Sequence, residues 1–277
     1  MEYENIVRNV VDAYKVSPID ILGTGDASGE YTYLENLEDT YVRTVSDVDK
    51  LFDGDRNGKS ILEIGSFLGA VSISLRQLGF SVNATDIPEF HKSPSLRSLY
   101  DRHEIPFEGL NLRNSTLPYA SESFDAVVVC EVLEHLNFNP LPVLLEINRV
   151  LKTDGYIYIG MPNQARIGNR VRSLLGMSIH HPIDFFFQQL DRSGNMIVGL
   201  HWREYTLGET VELIEQMGFD TVEKSYFQPG SRHKSNAVMR VLKKIIYSYP
   251  PFRSYQVAVG RKVSVPVHDF SFTEANS

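Results

Sequence analysis

The chain predicts an α/β fold built on a Rossmann-like, mostly parallel sheet, and three observations carry that expectation. Residues 61–69 read Ile-Leu-Glu-Ile-Gly-Ser-Phe-Leu-Gly, a short apolar run, an acid, and a turn bracketed by Gly65 and Gly69. From there onward apolar strand-like runs alternate with helical patterns, as parallel strands joined by crossover helices do. Phe124 to Cys130 is almost continuously apolar, which suits a strand covered on both faces.

The elements follow in order. Residues 1–58 are mixed and partly helical, with a helix expected over Asp39 to Phe52, broken by Asp53-Gly54-Asp55 and Asn57-Gly58. Ile61 to Ile64 is the first strand. Val71, Ile73, Leu75 and Leu78 form a helical stripe that Gly79 ends. Phe80 to Thr85 is the second strand and delivers Asp86 to its C-terminal end. Ile105 to Leu112 is the third strand and Phe124 to Cys130 the fourth. A helix runs over Pro140 to Leu151, its prolines tolerated in the first turn. Asp154-Gly155 turns into a fifth strand, Tyr156 to Met161. A helix over Leu207 to Met217 stops at Gly218, and Phe219 to Phe227 and Tyr255 to Val263 supply the last strands.

Composition narrows the function classes. A chain of 277 residues, 42% apolar and 22% charged, suits one α/β domain with embellishments. A net charge of −8 argues against nucleic acid as the default partner. The single cysteine, Cys130, allows no internal disulfide. No apolar stretch reaches the length of a membrane span. The opening Met1-Glu2-Tyr3-Glu4-Asn5 has neither a basic nor an apolar leader segment, so a cytoplasmic location is expected.

The glycine turn has its own chemistry. Gly65 and Gly69 let the backbone bend sharply and approach a ligand. Asp86 can accept hydrogen bonds from both hydroxyls of a ribose. A carboxylate at Glu63 repels a pyrophosphate but tolerates a cation. That moves the expectation from a nicotinamide dinucleotide to S-adenosylmethionine, whose amine and sulfonium are positive.

At this point the chain resembles the class I S-adenosylmethionine-dependent methyltransferases. The resemblance covers roughly residues 40–263. It rests on Glu63-Ile64-Gly65-x-x-x-Gly69, Asp86, Leu117-Pro118-Tyr119, Ser123-Phe124-Asp125, Glu131-Val132-Leu133-Glu134-His135, Arg149-Val150-Leu151-Lys152, Gly155, Pro162-Asn163 and Gly218-Phe219. It implies a seven-stranded sheet with an antiparallel last strand, and a cofactor lying across the C-terminal ends of the first four strands. One departure stands out: the family usually has a third glycine midway in the first loop, where this chain has Phe67. Carried over, the resemblance puts Glu63 near the methionyl amine, Gly65 and Ser66 with Gly69 in the loop beneath it, and Asp86 on the ribose. Ile87 would lie against the adenine, and Asn111 would meet its amino group through the amide oxygen. Leu112 would offer its backbone N–H, while Cys130 and Glu131 would end the fourth strand beside the sulfonium. Asp86 also reads as a plain loop acid, Asn111 as a turn residue, and Cys130 as a small buried apolar group.

Glu131, Glu134 and His135 follow the fourth strand. A helical turn there would set all three on one face. Such a set can bind a hard divalent ion, Mg or Mn, or can position a hydroxyl and accept its proton. The E-x-x-E-H pattern is similar to the metal-binding segment of small-RNA 3′-terminal 2′-O-methyltransferases and of polyprenyl-dihydroxybenzoate O-methyltransferases. By the same resemblance His201, ahead of Trp202-Arg203-Glu204-Tyr205-Thr206, would complete the site. The pattern also occurs in methyltransferases without a metal, where Glu134 or His135 only orients the loop. His135, His201 and Glu134 are therefore the catalytic candidates, and Glu131, Glu134, His135 and His201 the metal candidates.

Residues 163–205, rich in aromatics and histidine, read as a lid or substrate-binding insertion. Within it His180-His181 is a surface pair or faces substrate, and Phe185-Phe186-Phe187 reads as core packing of that insertion. Met239 to Tyr249 is amphipathic: a cover helix between the last two strands or a membrane-surface element. Residues 264–277 form an acidic, frayed tail. The expected activity is methyl transfer to a hydroxyl of a small or medium metabolite, such as a sugar or natural product. Two rivals stand beside it: metal-dependent RNA 3′-end 2′-O-methylation and a non-catalytic S-adenosylmethionine-binding regulator. The oligomeric state is left open.

Overall fold

The computed structural model describes residues 2–21, 25–114, 116–188, 199–230 and 236–266. Of the acidic tail, residues 267–277 lie outside the described residues, as do 189–198 of the insertion. The chain begins with α1 (Glu2–Val16) and α2 (Ser28–Lys50), followed by β1 (Ser60–Ile64), α3 (Ala70–Leu78) and β2 (Ser81–Asp86). Two short helices, α4 (Pro88–His91) and α5 (Pro94–Arg102), lead to β3 (Phe107–Gly109) and β4 (Phe124–Cys130). Then come α6 (Leu141–Val150), β5 (Leu151–Pro162), α7 (Ile167–Leu174), α8 (Asp184–Gln188) and α9 (Leu207–Gln216). β6 (Phe219–Phe227), α10 (Ala237–Ile246) and β7 (Tyr255–Lys262) close the order.

The seven strands form one sheet in the order β3-β2-β1-β4-β5-β7-β6. β1 pairs in parallel with β2 and β4, β2 with β3, and β4 with β5, while β7 runs antiparallel to both β5 and β6. This is the mostly parallel sheet with an antiparallel last strand that the resemblance implied. Strand alternation sends side chains to two cores. Ile61, Val82, Ala84, Val128 and Val257 pack with α1, α2 and α3 on one face. Leu62, Ile64, Val127, Ile157 and Ala258 pack with α6 and α9 on the other.

Several expected boundaries move. The helix expected to start at Asp39 starts at Ser28, and α1 precedes it. Leu34, Tyr41, Val45 and Val48 form one buried stripe that extends past the polar residues hiding its beginning. The third strand, expected over Ile105 to Leu112, keeps only three residues; Ile105 is taken by the turn, its N–H donating to the Tyr100 carbonyl at 3.1 Å. The fifth strand begins at Leu151, because Asp154-Gly155 is an irregularity within it: Asp154 has φ 61°, and the register against β4 shifts between Phe124 and Ala126. α5 begins at Pro94, with the Ser93 Oγ capping the Leu96 N–H at 3.3 Å. The helix expected to cover the sheet between the last two strands does not do so, since no residue of α10 is buried.

The insertion leaves and re-enters the fold at one place. Asn163 and Tyr205 form an isolated parallel bridge, and the Gln164 N–H donates to the Tyr205 carbonyl at 3.0 Å. Asn163 is wholly buried; its amide donates to the carbonyls of Pro251 and Arg253 at 3.0 and 2.9 Å. Inside the insertion Phe185 lies 5.0 Å from the His181 ring and Phe186 meets Trp202 edge-on at 5.6 Å. Phe186 and Phe187 are exposed, so the Phe185–Phe187 run is not the core its composition suggested.

Candidate active site

A cavity of about 920 Å³ opens at the C-terminal ends of β1, β2 and β4. One end is the glycine loop. Gly65 has φ 76°, and a Cβ there would come within 2.3 Å of the Val132 Cγ2, so both conformation and space call for glycine. Gly69, with φ 73°, starts α3 and packs against Ile73 and Tyr100; it shapes the loop without lining the cavity. Phe67, between them, also sits in the left-handed region at φ 45°. That conformation costs a non-glycine residue about 1 kcal/mol or more. Its ring is held edge-on to Tyr33 at 5.3 Å and against Phe90 at 5.6 Å. The loop is tied down from outside: the N–H groups of Gly65 and Ser66 donate to the Thr85 carbonyl, and the buried Tyr100 hydroxyl donates to Ser66 Oγ at 2.7 Å.

Two carboxyl groups stand over this loop. Glu63 is buried and accepts a short hydrogen bond from the Ser72 hydroxyl. Burial nevertheless pushes its pKa up to about 8. Asp86 accepts the N–H of Phe67 at 2.6 Å and that of Ile87 at 2.7 Å. Burial raises its pKa to about 6 against the pull of those two donors. Ile87, Asn111, Leu112, Cys130 and Glu131 line the same cavity. The Asn111 Oδ1 already accepts the Arg113 N–H at 3.1 Å and so opens a turn, as its turn reading anticipated. Burial pushes the Cys130 thiol up, and its sulfur lies 3.5 Å from the Thr44 hydroxyl.

The other end is built from two segments stitched together. β4 ends at Cys130, and the next residue, Glu131, has a φ of 55° that turns the chain out of the strand before a tight turn over Leu133–His135. The Glu134 carbonyl accepts the Trp202 N–H at 2.7 Å, and the His135 Nδ1–H donates to the Leu200 carbonyl at 3.0 Å. His201 is thereby set against His135, ring centroids 4.8 Å apart, and His181 lies 5.1 Å from His201. Because a carbonyl can only accept, His135 keeps its proton on Nδ1 and its lone pair on Nε2. Burial, then His201 beside it, lowers the His135 pKa to about 4.

Behind His201 lies a polar brace. The His201 Nδ1 is 3.0 Å from Glu204 Oε1. Glu204 in turn accepts both Arg166 nitrogens and the Asn169 amide, the latter at 3.1 Å. Burial raises the Glu204 pKa, but the His201 and Arg166 contacts outweigh it and hold the group at about 2.

The left-handed turn at Glu131 breaks the single helical face expected for the acid-histidine cluster. Glu134, His135 and His201 each offer a ligand atom, all within 4.8 Å of one another; Glu131 stands outside that group. Glu134 is fully buried, and among the described residues no donor is set on either of its carboxyl oxygens or on Glu131 Oε1; the two carboxyl groups face one another. Burial and the neighbouring Glu131 push the Glu134 pKa well up.

Sequence reasoning missed one wall. Tyr33, Leu34 and Tyr41 of α2 line the cavity, so the N-terminal segment closes the site rather than merely preceding it. It also missed the Arg166–Glu204 brace, whose one sequence signal is an acid three residues after His201. His181 does face the site, and with His201 it borders a second, polar cavity of about 310 Å³ lined also by Arg166, Asn169, Arg172 and His180.

Comparison with known proteins agrees with the fold. Residues 62–159 match the family model described as a methyltransferase domain. A ubiquinone biosynthesis O-methyltransferase of Xanthomonas oryzae is 29% identical over 140 residues, which span 47% of this chain and 58% of that protein. Among solved structures, a SAM-dependent methyltransferase from Archaeoglobus fulgidus superposes with a TM-score of 0.53 at 15% identity, covering 84% of this chain and 100% of that one. A SAM-dependent methyltransferase from Methanosarcina mazei gives 0.51 at 21% identity, over 74% of this chain and 92% of that one. Residues 62–159 thus match a methyltransferase domain, and the chain shares the Rossmann-like fold of these SAM-dependent methyltransferase structures.

Proposed function

We propose that this chain transfers the methyl group of S-adenosylmethionine to a hydroxyl of a small or medium-sized metabolite, such as a sugar or natural product. The observation that carries this reading is one continuous cavity joining Glu63 and Asp86 at one end to His135 and His201 at the other. The glycine-loop end fits the cofactor on its own chemistry. Gly65 leaves backbone bare where a side chain would intrude, Glu63 matches an ammonium, and Asp86 has acceptor capacity for a ribose. When bound, the cofactor supplies a methyl group on a sulfonium that an oxygen can displace in line.

The rest is the work of this chain. The cavity holds the acceptor oxygen in line, which is the largest contribution to such a transfer. His201 is the better placed proton acceptor. Glu204 accepts its Nδ1–H and so fixes its tautomer, leaving Nε2 to take the proton, as the acid of a catalytic triad does. His135, with its pKa lowered to about 4, is a weak base and is suited to orienting the hydroxyl through Nε2. The neighbouring polar cavity extends the acceptor site toward Arg172, His180 and His181. The Xanthomonas relative, named as an O-methyltransferase, supports transfer to oxygen. The net charge of −8 favours a small acceptor over an RNA end.

A second reading has its own support. The two unpartnered Glu134 oxygens and two imidazoles within 4.8 Å fit a divalent ion, Mg or Mn. Glu134, His135 and His201 would hold it, and it would acidify the acceptor hydroxyl.

The reading is tested first on the cofactor. S-adenosylhomocysteine should bind and raise the unfolding temperature. Asp86→Ala should weaken that binding by about 1.5–3 kcal/mol, the loss of two charge-assisted hydrogen bonds. Unchanged affinity by calorimetry would remove Asp86 from the ribose, and tighter binding of NAD would sink the whole assignment. Gly65→Ala should abolish cofactor binding. Pairing it with Val132→Ala removes the steric clash but leaves a left-handed alanine, so about 1–2 kcal/mol of stability should still be missing. Full thermal stability in the single variant would show that the loop yields.

A further inference from the structure

Two helices at the edge of the sheet where the cavity opens carry apolar side chains that no described residue covers. On α10, Val238, Val241, Leu242 and Ile245 fall at i, i+3, i+4 and i+7, a single stripe. Val238 is 75% exposed and Ile245 64%. Lys243 and Ile246, with Tyr247 just past the end of the helix, are partly buried, and the other residues of α10 are exposed. Beside it, α7 ends in Leu174 and Leu175, also exposed, the former by 86%.

The two segments adjoin. The Arg170 guanidinium of α7 lies 5.6 Å from the centroid of Phe252, in the link between α10 and β7. Arg253 in that link donates to the Tyr247 carbonyl at the end of α10, at 3.1 Å.

Charge decides what the surface fits. Residues 165–183 and 236–254 hold seven Lys and Arg and no Asp or Glu, in a chain with 27 basic and 35 acidic residues. Arg240 and Lys244 lie on the side of α10 opposite the apolar stripe. Isolated apolar exposure is ordinary, but a contiguous stripe on a helix whose charged residues are all cations marks an interaction site. A cationic helix with one apolar face and no carboxylate matches the boundary between headgroups and acyl chains of an anionic bilayer.

We propose that α10, with the 171–177 segment beside it, docks this chain on the surface of a membrane containing anionic lipid. No described helix is long and apolar enough to cross a membrane, so the attachment is peripheral. It stands whether or not the chain transfers methyl groups.

The test is sedimentation of the full chain with vesicles of phosphatidylcholine alone and of phosphatidylcholine mixed with phosphatidylglycerol. The wild type should sediment with the mixed vesicles only and be released by salt. Val241→Glu with Ile245→Glu should abolish binding while leaving the unfolding midpoint unchanged. Leu174→Glu with Leu175→Glu does the same from the other helix should the first variant misfold. Lys243→Ala with Lys244→Ala should weaken partitioning on the order of tenfold or more. Failure of the wild type to sediment with mixed vesicles overturns the proposal, as does equal sedimentation of the glutamate variants. Self-association that those substitutions abolish, without vesicle binding, assigns the stripe to a second copy and overturns it too.

Discussion

His201→Ala should lower kcat by on the order of 10²–10⁴-fold, the range a positioned general base contributes. S-adenosylhomocysteine affinity should stay as in the wild type, because the imidazole sits at the far end of the cavity from Glu63 and Asp86. Glu204→Gln should fall between the two. Its amide oxygen can still accept the His201 Nδ1–H, 3.0 Å away in the wild type, but the charge that stabilises an imidazolium is gone. His135→Ala separates base from metal. If His201 acts as a plain base, turnover survives chelator and His135→Ala is the milder variant. If Glu134, His135 and His201 hold an ion as a unit, chelation abolishes turnover, Mg²⁺ or Mn²⁺ restores it, and each single loss costs nearly as much. Full activity in both histidine variants would remove this end of the cavity from the chemistry.

Cofactor affinity should rise with pH about tenfold per unit up to about pH 8. Burial raises the Glu63 pKa to about 8, so below that pH the ligand-free protein holds a neutral carboxylic acid there. A cationic amine beside it favours the carboxylate, so binding must expel a proton, and the cost grows as pH falls. The sign for folding is the reverse. The native state binds a proton that an unfolded Glu, ordinarily near 4.5, has already lost, so this group's contribution to stability falls as pH rises from 4.5 toward 8. Calorimetry in buffers of different ionisation enthalpy reads the proton directly. A release near one per cofactor at pH 7 is expected, and it should vanish in Glu63→Gln together with most of the pH dependence. No proton release in the wild type would show that Glu63 does not face the amine.

Much of the scaffold is visible in the sequence because parallel strands buried on both faces read as near-continuous apolar runs. β4 begins and ends where the apolar pattern does. The proposed cofactor end is also local, since Glu63, Gly65 and Asp86 come from two consecutive strand ends. What sequence could not supply was the contribution of distant segments. Tyr33 and Tyr41 reach the cavity only because α1 and α2 pack on the sheet face, and nothing in their spacing announces it. The face drawn through Glu131, Glu134 and His135 assumed a helical turn, whereas Glu131 adopts a left-handed conformation that the residue type disfavours. The expected burial of the α10 stripe failed for a different reason. Amphipathic spacing states that one face avoids water and leaves open what replaces it.

The joint between Asn163 and Tyr205 also bears on how such a protein diversifies. Both strands of the neck emerge side by side, and their hydrogen bonds use backbone and one buried asparagine. Just inside the neck the Arg166–Glu204 pair adds a second clamp. Closing a longer or shorter loop across a fixed neck changes its entropy cost only slowly with length. The segment inside that clamp, which carries His181 and His201, is thus a cassette: it can be lengthened, shortened or exchanged to meet a new acceptor while the sheet, and the proposed cofactor end on it, stay as they are.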